Sequence, residues 1–287
     1  MPDDQPLFSF GIAADCQYAD ADDLRRGKMD RRFRESRDRL AEAVETWNGH
    51  DLAFIVHLGD LIDRDPADAP VVLDLFAQCT APVHQLLGNH DFANPSGVPT
   101  PTAELCAAYG MPAAYYEFAQ PGWRFLVLDG NAISIEGNAP GTPRRVEAER
   151  VMAELEAAGA RNARPWNGGL GSEQEEWLAA RLAEAETAGE RVAVLVHHPL
   201  DDTLGDSLWF GSALADRLAA SPVVSVVLSG HHHAGMFRQV GELPLLGLQG
   251  MVETAESAYA IAHVHADTIM IEGFRREPSR ILPLRAV

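Results

Sequence analysis

Short apolar runs recur along the chain, and they are the main feature of its pattern of hydrophobic and polar residues. Each has the length of a single strand, several are rich in Val and Ile, and most end at a polar residue or a glycine. The runs are FSFGIAAD, AFIVHLGD, PVHQLLGN, FLVLDG, VAVLVHH, VVSVVLSG, LPLLGLQG, YAIAHVHA and TIMIEG. Runs without alternation indicate strands that are buried on both faces.

Helical periodicity lies between the earlier apolar runs. Leu40, Val44 and Trp47 share one helical face, a helix is predicted over about 146–155, and SEQE at 172–175 has the capping-box pattern ahead of another helix. The order strand, helix, strand predicts an α/β fold, and the closing run of strands predicts an antiparallel portion of the same core. We therefore expect a four-layer arrangement, a two-sheet β-sandwich flanked by helices.

The domain organisation follows from the spacing of these elements. No Ser/Gly-rich or Pro-rich linker divides the apolar runs, so one domain over residues 1–287 is expected. Residues 136–171 are rich in Gly, Pro, Ala and Arg, and we interpret them as an insertion that caps the functional site.

Charge and cysteine content exclude several classes of protein. The net charge of -19 argues against a nucleic-acid partner, because binding a phosphate backbone needs a surplus of Lys and Arg. No run approaches the roughly 20 apolar residues that span a membrane, and MPDDQP lacks the positive start of a secretory signal, so a cytoplasmic location is expected. Cys16, Cys79 and Cys106 are scattered, which indicates reduced structural thiols. Nothing indicates an obligate protein partner.

Several apolar runs end in residues that can bind a metal ion. These residues are Asp15, Gln17, Asp60, Asn89, His90, His197, His231 and His233. Side chains at the carboxyl ends of strands in α/β sheets converge on one crevice, so one site could collect them all. Oxygen and imidazole donors without thiolate suit Mn, Fe, Zn, Co or Ni. The candidates are too many for one ion and suit two ions that share a carboxylate, for which Asp60 is the natural bridge.

In this order and spacing, the motifs DCQ, GDLID, GNHD, HH and GHHH resemble those of the calcineurin-like metallophosphoesterases. The resemblance implies that family's fold and two divalent ions. The first ion would be held by Asp15, Gln17, Asp60 and His233, and the second by Asp60, Asn89, His197 and His231. The implied catalytic residues are Asp60 and His90, where His90 orients or protonates the leaving oxygen and Asp63 supports the site from behind. A hydroxide bridging the two ions would attack phosphorus in line.

Further segments resemble the manganese-dependent ADP-ribose/CDP-alcohol diphosphatases. They are FGIAADCQYAD, WNGGLGSEQEEWL, LQGMVET and EGFRREPSRI. The resemblance implies hydrolysis of the phosphoanhydride in nucleoside diphosphate-linked sugars or alcohols, with manganese as the preferred ion. Gln17 stands where many superfamily members have His, and its neutral oxygen also favours a hard ion such as manganese. The chain departs from the pattern before WNGGL and in the middle residue of GHHH, so substrate preference stays open.

Residues expected to contact the substrate come from several segments. They are Asn89, His90, Phe33, Arg34, Trp166, Asn167 and Gly168. Trp166 or Phe33 would stack on a base, while the WNGGL glycines would let the backbone approach a ligand. A tight turn and core packing explain the same residues equally well. Arg34, Arg275 and Arg276 are alternative clamps for a second phosphate.

Two other functions fit the same motifs. A cyclic-nucleotide or general phosphodiesterase would share every metal ligand and differ in its pocket. A non-catalytic binding scaffold would keep the fold and carry a broken ligand set, whereas the set here is complete.

Overall fold

The computed structural model describes residues 5–27 and 29–285. The strands are β1 (Phe8–Ala13), β2 (Leu24–Arg26), β3 (Met29–Arg31), β4 (Phe54–His57), β5 (Val83–Gln85), β6 (Tyr116–Gln120), β7 (Trp123–Leu128), β8 (Ile133–Ser134), β9 (Gly168–Gly169), β10 (Arg191–Val196), β11 (Val224–Ser229), β12 (Ala234–Val240), β13 (Leu243–Gln249), β14 (Ala258–Val264), β15 (Thr268–Arg275) and β16 (Arg280–Pro283). The α-helices are α1 (Ser36–Asn48), α2 (Ala69–Phe76), α3 (Thr102–Ala108), α4 (Pro143–Ala157), α5 (Ser172–Ala188) and α6 (Gly211–Ala220), and 3-10 turns span Pro66–Asp68 and His90–Phe92.

Two six-stranded sheets form the centre of the molecule. The first has the order β16-β15-β14-β1-β4-β5, and the second has the order β12-β13-β11-β10-β7-β6. In the first sheet β1, β4 and β5 run parallel, and β14 to β16 continue it antiparallel. In the second sheet β7, β10, β11 and β13 run parallel between antiparallel edges. The strands β12 to β16 follow one another with no helix between them, so the predicted antiparallel closing portion is confirmed.

The two sheets pack face to face through aromatic side chains. Phe10 stacks on Phe54 with 4.8 Å between ring centroids, and both meet Phe125 of the other sheet edge-on. On the outer side of the first sheet, a Cβ at Gly11 would lie 2.9 Å from the Trp47 ring of α1, so α1 packs directly against β1. Trp47 is buried, and truncating a buried ring of this size to Ala costs about 3–5 kcal/mol.

Helices α5 and α6 cover the outer face of the second sheet. Leu178 of α5 and Leu214 of α6 join one apolar cluster with Val194 of β10. The layers are therefore helix, sheet, sheet and helix, which confirms the predicted α/β four-layer sandwich.

Two local predictions differ from the structure. Helix α5 begins one residue earlier than the capping box requires, because Gly171 is the N-cap and Ser172 is the first helical residue with no side-chain cap. The capping box was therefore wrong. The helix predicted over 146–155 is longer, and it begins after Thr142, whose hydroxyl accepts a hydrogen bond from the Arg145 amide.

Residues 136–171, interpreted from sequence as a cap, carry α4 and end in β9. Strand β9 pairs antiparallel with β8, and α4 packs on β8 through a small apolar cluster that includes Val151, Leu155 and Trp209. The single-domain organisation and the capping role both stay predictions. No helix in the ranges 5–27 and 29–285 is long and apolar enough to cross a membrane, and the cytoplasmic location likewise stays a prediction.

Candidate metal centre

The candidate ligands meet at one edge of the sandwich, where parallel strands of both sheets end. Asp15 and Gln17 follow β1, Asp60 follows β4, and Asn89 lies beyond β5. His197 follows β10, and His231 and His233 lie between β11 and β12. Ligand atoms of Asp60, His197 and His231 lie within 4.8 Å of one another, as do those of Asp15, Asp60 and His233. Asp60 belongs to both groups, which is the position expected of a bridging carboxylate.

The backbone is strained at four of these positions. Asp15, Gln17, Asp60 and His231 have φ angles of 54°, 44°, 56° and 62°. Non-glycine residues rarely adopt this left-handed region, at a cost of about 1–3 kcal/mol each, and such residues cluster at functional sites. The surrounding bonds hold the conformation: the Gln17 amide donates to the Asp60 carbonyl at 2.8 Å, and the His231 amide donates to the Asp15 carboxylate at 3.0 Å.

Glycines make room for the ligand side chains. A Cβ at Gly88 would lie 2.1 Å from Asp60 Oδ1, and one at Gly230 would lie 2.8 Å from Asp15 Oδ2. These distances are too short for any side chain, so the glycines of the GNHD and GHHH motifs are required by packing against the carboxylates.

Hydrogen bonds aim two of the histidine rings. His197 Nδ1 lies 2.7 Å from the Leu58 carbonyl and donates to it, so in the neutral ring Nε2 carries the lone pair. His233 Nδ1 lies 2.9 Å from Glu253 Oε1, and its Nε2 faces Asp15 Oδ1 at 3.5 Å. A carboxylate or carbonyl that accepts from the far nitrogen is the usual support of a metal-binding histidine.

Two divalent ions fit this donor set. Three of the predicted ligands have a buried atom that finds no hydrogen-bond partner among the residues that the structure describes: Gln17 Oε1, Asn89 Oδ1 and His197 Nε2, which lies 3.3 Å from Asp60 Oδ2. Each belongs to a predicted ligand, and an unpaired buried polar atom costs about 1–3 kcal/mol. Asn89 is turned this way because its Nδ2 donates to Glu136 Oε2 at 2.8 Å. Cations at this edge would satisfy all three atoms.

Asp91, the last residue of GNHD, organises the loops around Asp60 and was missing from the predicted site. Its Oδ2 accepts from the amides of Asp60 at 3.0 Å and Gly88 at 2.8 Å. Its Oδ1 accepts from the Leu61 amide at 2.9 Å and the Tyr109 hydroxyl at 3.0 Å. Burial, together with the charge of Asp60, raises the pKa of Asp91 to about 7. Glu253 of the LQGMVET segment and Glu136 were missed as well.

A cavity of about 700 Å³ opens over this edge, a volume suited to a nucleotide-sized ligand. Its floor consists of Gln17, Asp60, Asn89, His90, His231 and His233. Arg31 and Arg276 lie on the lining beside Glu253, and Trp166, Asp206 and His232 also line the cavity. The pocket therefore combines a floor of candidate metal ligands with two arginines and an exposed aromatic ring.

His90 lies on this floor with its far side held by Asp63. Its Nδ1 is 3.0 Å from the Asp63 carbonyl and 3.1 Å from Asp63 Oδ1. Burial lowers the pKa of His90, but the negative charges of Asp60 and Asp63 outweigh it and raise the pKa to about 9. The ring is therefore a cation in the protein without bound metal, positioned where it can donate a proton.

Phe33 and Arg34, two residues expected to contact the substrate, lie away from the pocket. Phe33 is only 1% exposed, and the Arg64 guanidinium covers its ring at 4.7 Å. A ring covered in this way cannot stack on a base. Arg34 is exposed and forms ion pairs with Asp20 and Asp22. The structure therefore does not bring either residue to the site.

The WNGGL segment reaches the site with one residue on the surface and the next residues buried. Trp166 lines the pocket, is 38% exposed, and donates from Nε1 to Asp206 Oδ1 at 2.9 Å. Asn167 and Gly168 are buried beneath it, and Asn167 contacts His231 instead of the cavity. Trp166 lies in a turn that is closed by a hydrogen bond from the Asn167 amide to the Arg164 carbonyl at 3.1 Å, and of these three residues Trp166 alone lines the pocket.

Comparison with known proteins settles the family. The sequence model described as Calcineurin-like phosphoesterase matches residues 8–235. The chain belongs to the calcineurin-like phosphoesterases. This phosphoesterase is 34% identical to a manganese-dependent ADP-ribose/CDP-alcohol diphosphatase of Arabidopsis thaliana, over 80% of this chain and 81% of the relative. A human protein of the same name is 29% identical over 96% of this chain and 92% of its own.

A solved structure agrees with the family. The crystal structure of a dimetal phosphatase from Danio rerio superimposes on this phosphoesterase with a TM-score of 0.86 and 25% identity, covering 98% of this chain and all of the other. The predictions of the calcineurin-like fold and of a metal-dependent hydrolase are confirmed. The roles of individual residues remain predictions that the geometry above supports.

Proposed function

We propose that this phosphoesterase uses two divalent metal ions to hydrolyse the phosphoanhydride of nucleoside diphosphate-linked sugars or alcohols, such as ADP-ribose or CDP-choline. The observation that carries the proposal is the pair of ligand groups that share Asp60 on the floor of a nucleotide-sized pocket. The names of the relatives support the substrate class.

Each group would hold one ion. Asp15, Gln17, Asp60 and His233 form the first set, and Asp60, Asn89, His197 and His231 form the second. When bound, two such ions neutralise phosphoryl oxygens and make a water molecule a better nucleophile. Manganese is the proposed ion, because the neutral oxygens of Gln17 and Asn89 suit a hard cation and the relatives are named as manganese-dependent. Iron, zinc, cobalt and nickel are the ions to test against it.

Side chains of this chain would supply the remaining chemistry. His90 is placed to give a proton or a hydrogen bond to the leaving phosphate oxygen, with Asp63 holding its ring. Arg31 and Arg276 lie where they can bind the second phosphate, since a guanidinium offers paired donors to phosphate oxygens. Trp166 offers an exposed ring on which a base can stack, and Asp206 fixes its orientation.

Hydrolysis assays with metal-stripped protein test the proposal. The protein is resupplied with Mn²⁺ or each alternative ion and given ADP-ribose, CDP-choline or cyclic AMP. We expect the diphosphates to be cleaved fastest with Mn²⁺. Faster turnover of cyclic AMP would favour a phosphodiesterase, and no turnover of any phosphoester with any ion would rule out the enzymatic function.

A matched pair of variants distinguishes the loss of a metal ligand from general destabilisation of the protein. Asp60→Asn removes the shared carboxylate and should lower kcat/KM by more than about 100-fold, since even residues that only support a ligand contribute about 10–100-fold. Asp129→Asn makes the same change at another buried strand end that the two ligand groups do not include, and it should keep its activity. Equal losses in both variants would contradict the assignment of Asp60.

A further inference from the structure

Asn167 is fully buried and touches the candidate metal centre directly. Its Oδ1 lies 2.8 Å from His231 Nε2. Its Nδ2 lies 2.9 Å from the Asn162 carbonyl and 2.8 Å from the Gly205 carbonyl. The side chain therefore makes a contact at every polar atom, and one of the contacts is a predicted metal ligand.

The two carbonyl groups fix which end of the amide faces His231. A carbonyl oxygen can only accept a hydrogen bond, so the atom between Asn162 and Gly205 must be the donating Nδ2. Turning the amide over would place its oxygen against both carbonyl oxygens, where no hydrogen bond can form. Asn167 Oδ1 therefore faces the imidazole.

This orientation decides where the proton of His231 sits. An amide oxygen is an acceptor, so His231 Nε2 must carry the hydrogen and donate it. The lone pair of the neutral ring then belongs to Nδ1. The main chain of His231 is held as well, because its backbone amide donates to the Asp15 carboxylate.

Close packing brings Asn167 to this place. A Cβ at Gly168 would lie 2.4 Å from the Gly130 carbonyl, so the segment passes against the end of β7 where no side chain fits. The Trp209 amide then donates to the Gly168 carbonyl at 2.7 Å. Gly168 of WNGGL thus allows the close packing that brings Asn167 to His231.

We infer that Asn167 is a positioning residue that holds His231 in the Nε2–H form and directs Nδ1 toward the second metal ion. The inference rests on the proposed role of His231 as a ligand. It gives the WNGGL segment two functions, with Trp166 facing the substrate pocket and Asn167 supporting the metal centre from behind.

Manganese binding by two leucine variants tests the inference. Asn167→Leu removes the acceptor with little change in volume. Gln174→Leu is the control, because Gln174 is equally buried and its side-chain amide binds the Asp129 backbone at 2.7 and 2.9 Å without a hydrogen bond to Asn167 or His231. Titration with Mn²⁺ alone, followed by electron paramagnetic resonance, should show one of two ions weakened by about 10–100-fold in Asn167→Leu. Gln174→Leu should bind both ions as the wild type does.

Each other outcome has a distinct meaning. Two ions bound with wild-type affinity by Asn167→Leu would overturn the inference alone, and so would equal weakening in both variants. A wild-type protein that binds no Mn²⁺ would overturn the proposed function together with the inference.

The unmodified protein provides a measurement that does not depend on the folding of a variant. Nitrogen-15 spectra of the zinc-loaded wild type, with His231 identified by comparison with His231→Gln, report which ring nitrogen carries hydrogen. A protonated Nε2 with a metal-shifted Nδ1 supports the inference. A metal-shifted Nε2 overturns it.

Discussion

Buried carboxylates at the candidate centre are kept in place by neighbours that are themselves charged or strained. Burial raises the pKa of Asp60, but the nearby charges of His197 and His90 outweigh burial and hold the pKa well below its ordinary value. Asp60 is therefore an anion ready for a cation. The left-handed backbone at Asp60 places this anion against the Gly88 backbone. Position 88 must be glycine, because the Cβ of any other residue would collide with the carboxylate.

Asp63 should set the pH range in which His90 can act as an acid. Its carboxylate helps to raise the pKa of His90, so Asp63→Asn should lower that pKa by about 1 unit or more. The loss of activity at high pH should then begin at a lower pH in the variant. The pH profile of kcat/KM with Mn²⁺ measures this shift. Asp74→Asn makes the same charge change at an exposed position of α2 and should leave the profile unchanged.

A second residue-scale prediction concerns stability. Burial raises the pKa of Glu277 from 4.5 to about 7, although its Oε2 accepts from the Gln249 amide at 2.8 Å. Between pH 4.5 and 7 the folded state binds the proton more tightly than the unfolded state, so the free energy of unfolding falls as pH rises through this window.

Glu277→Gln keeps the acceptor and removes this dependence. The free energy of unfolding of the variant minus that of the wild type should therefore rise by about 1–3 kcal/mol from pH 5 to pH 8. Urea denaturation at each pH measures this difference. Glu242→Gln, at an exposed position, is the control and should follow the wild type. A parallel pH dependence in Glu277→Gln and the wild type would show that the carboxylate titrates normally.

The candidate ligands could be recognised from sequence where a metal-binding residue type directly follows a predicted strand. Asp15, Asp60 and His197 each follow an apolar run directly, so residue type and position agree. Glu253 and Asn167 act through a neighbour far away in sequence, and no local pattern records that contact. Asn167 was expected to meet the substrate as part of the WNGGL segment, and only the direction of its side chain in the structure distinguishes it from Trp166.

Strands and the turns after them form the next scale. The strands buried on both faces were recognised from their unbroken apolar runs, whereas β6, β12 and β16 were missed. All three are edge strands of the six-stranded sheets, and their partly exposed residues lack the run of buried residues that marks the centre of a sheet. Glycines allow the turns after the strands, and whether glycine is required depends on which atoms a Cβ at that position would meet.

Gly88→Ala tests the turn after β5. Its Cβ would lie 2.1 Å from Asp60 Oδ1, so the carboxylate must move and Mn²⁺ affinity should fall by at least about 10-fold. Calorimetric titration with Mn²⁺ measures the change. Gly169→Ala in β9 is the control, because its Cβ would meet Trp209 at an ordinary distance of 3.8 Å. Unchanged Mn²⁺ affinity in Gly88→Ala would mean that the loop yields without disturbing Asp60.

At the scale of the whole molecule, metal binding should be coupled to stability. The chain has 42 acidic and 23 basic residues, and the candidate ligands come from both sheets, so cations at the centre would join the two halves of the sandwich. One ion at 100 times its dissociation constant adds about 2.7 kcal/mol, or roughly 4–5 °C in Tm for a protein of 287 residues.

Calorimetry with and without a chelator measures this coupling. Mn²⁺ should raise Tm by about 5 °C or more above its value in EDTA, and Asp60→Asn should lose most of that increase. An equal Tm in Mn²⁺ and EDTA would indicate that the centre binds no ion tightly.

The position of β1 between β4 and β14 has a consequence for the order of events during synthesis. At about 5–20 residues per second, tens of seconds pass between the emergence of β1 from the ribosome and that of β14. Until then one edge of β1 has no partner strand, and an unpaired edge invites aggregation. His231 also follows Asp15 by 216 positions, so the catalytic centre is among the last parts of the molecule to assemble. A nascent chain stalled before β14 would carry every candidate ligand and would lack the strand that pairs with β1 beside them.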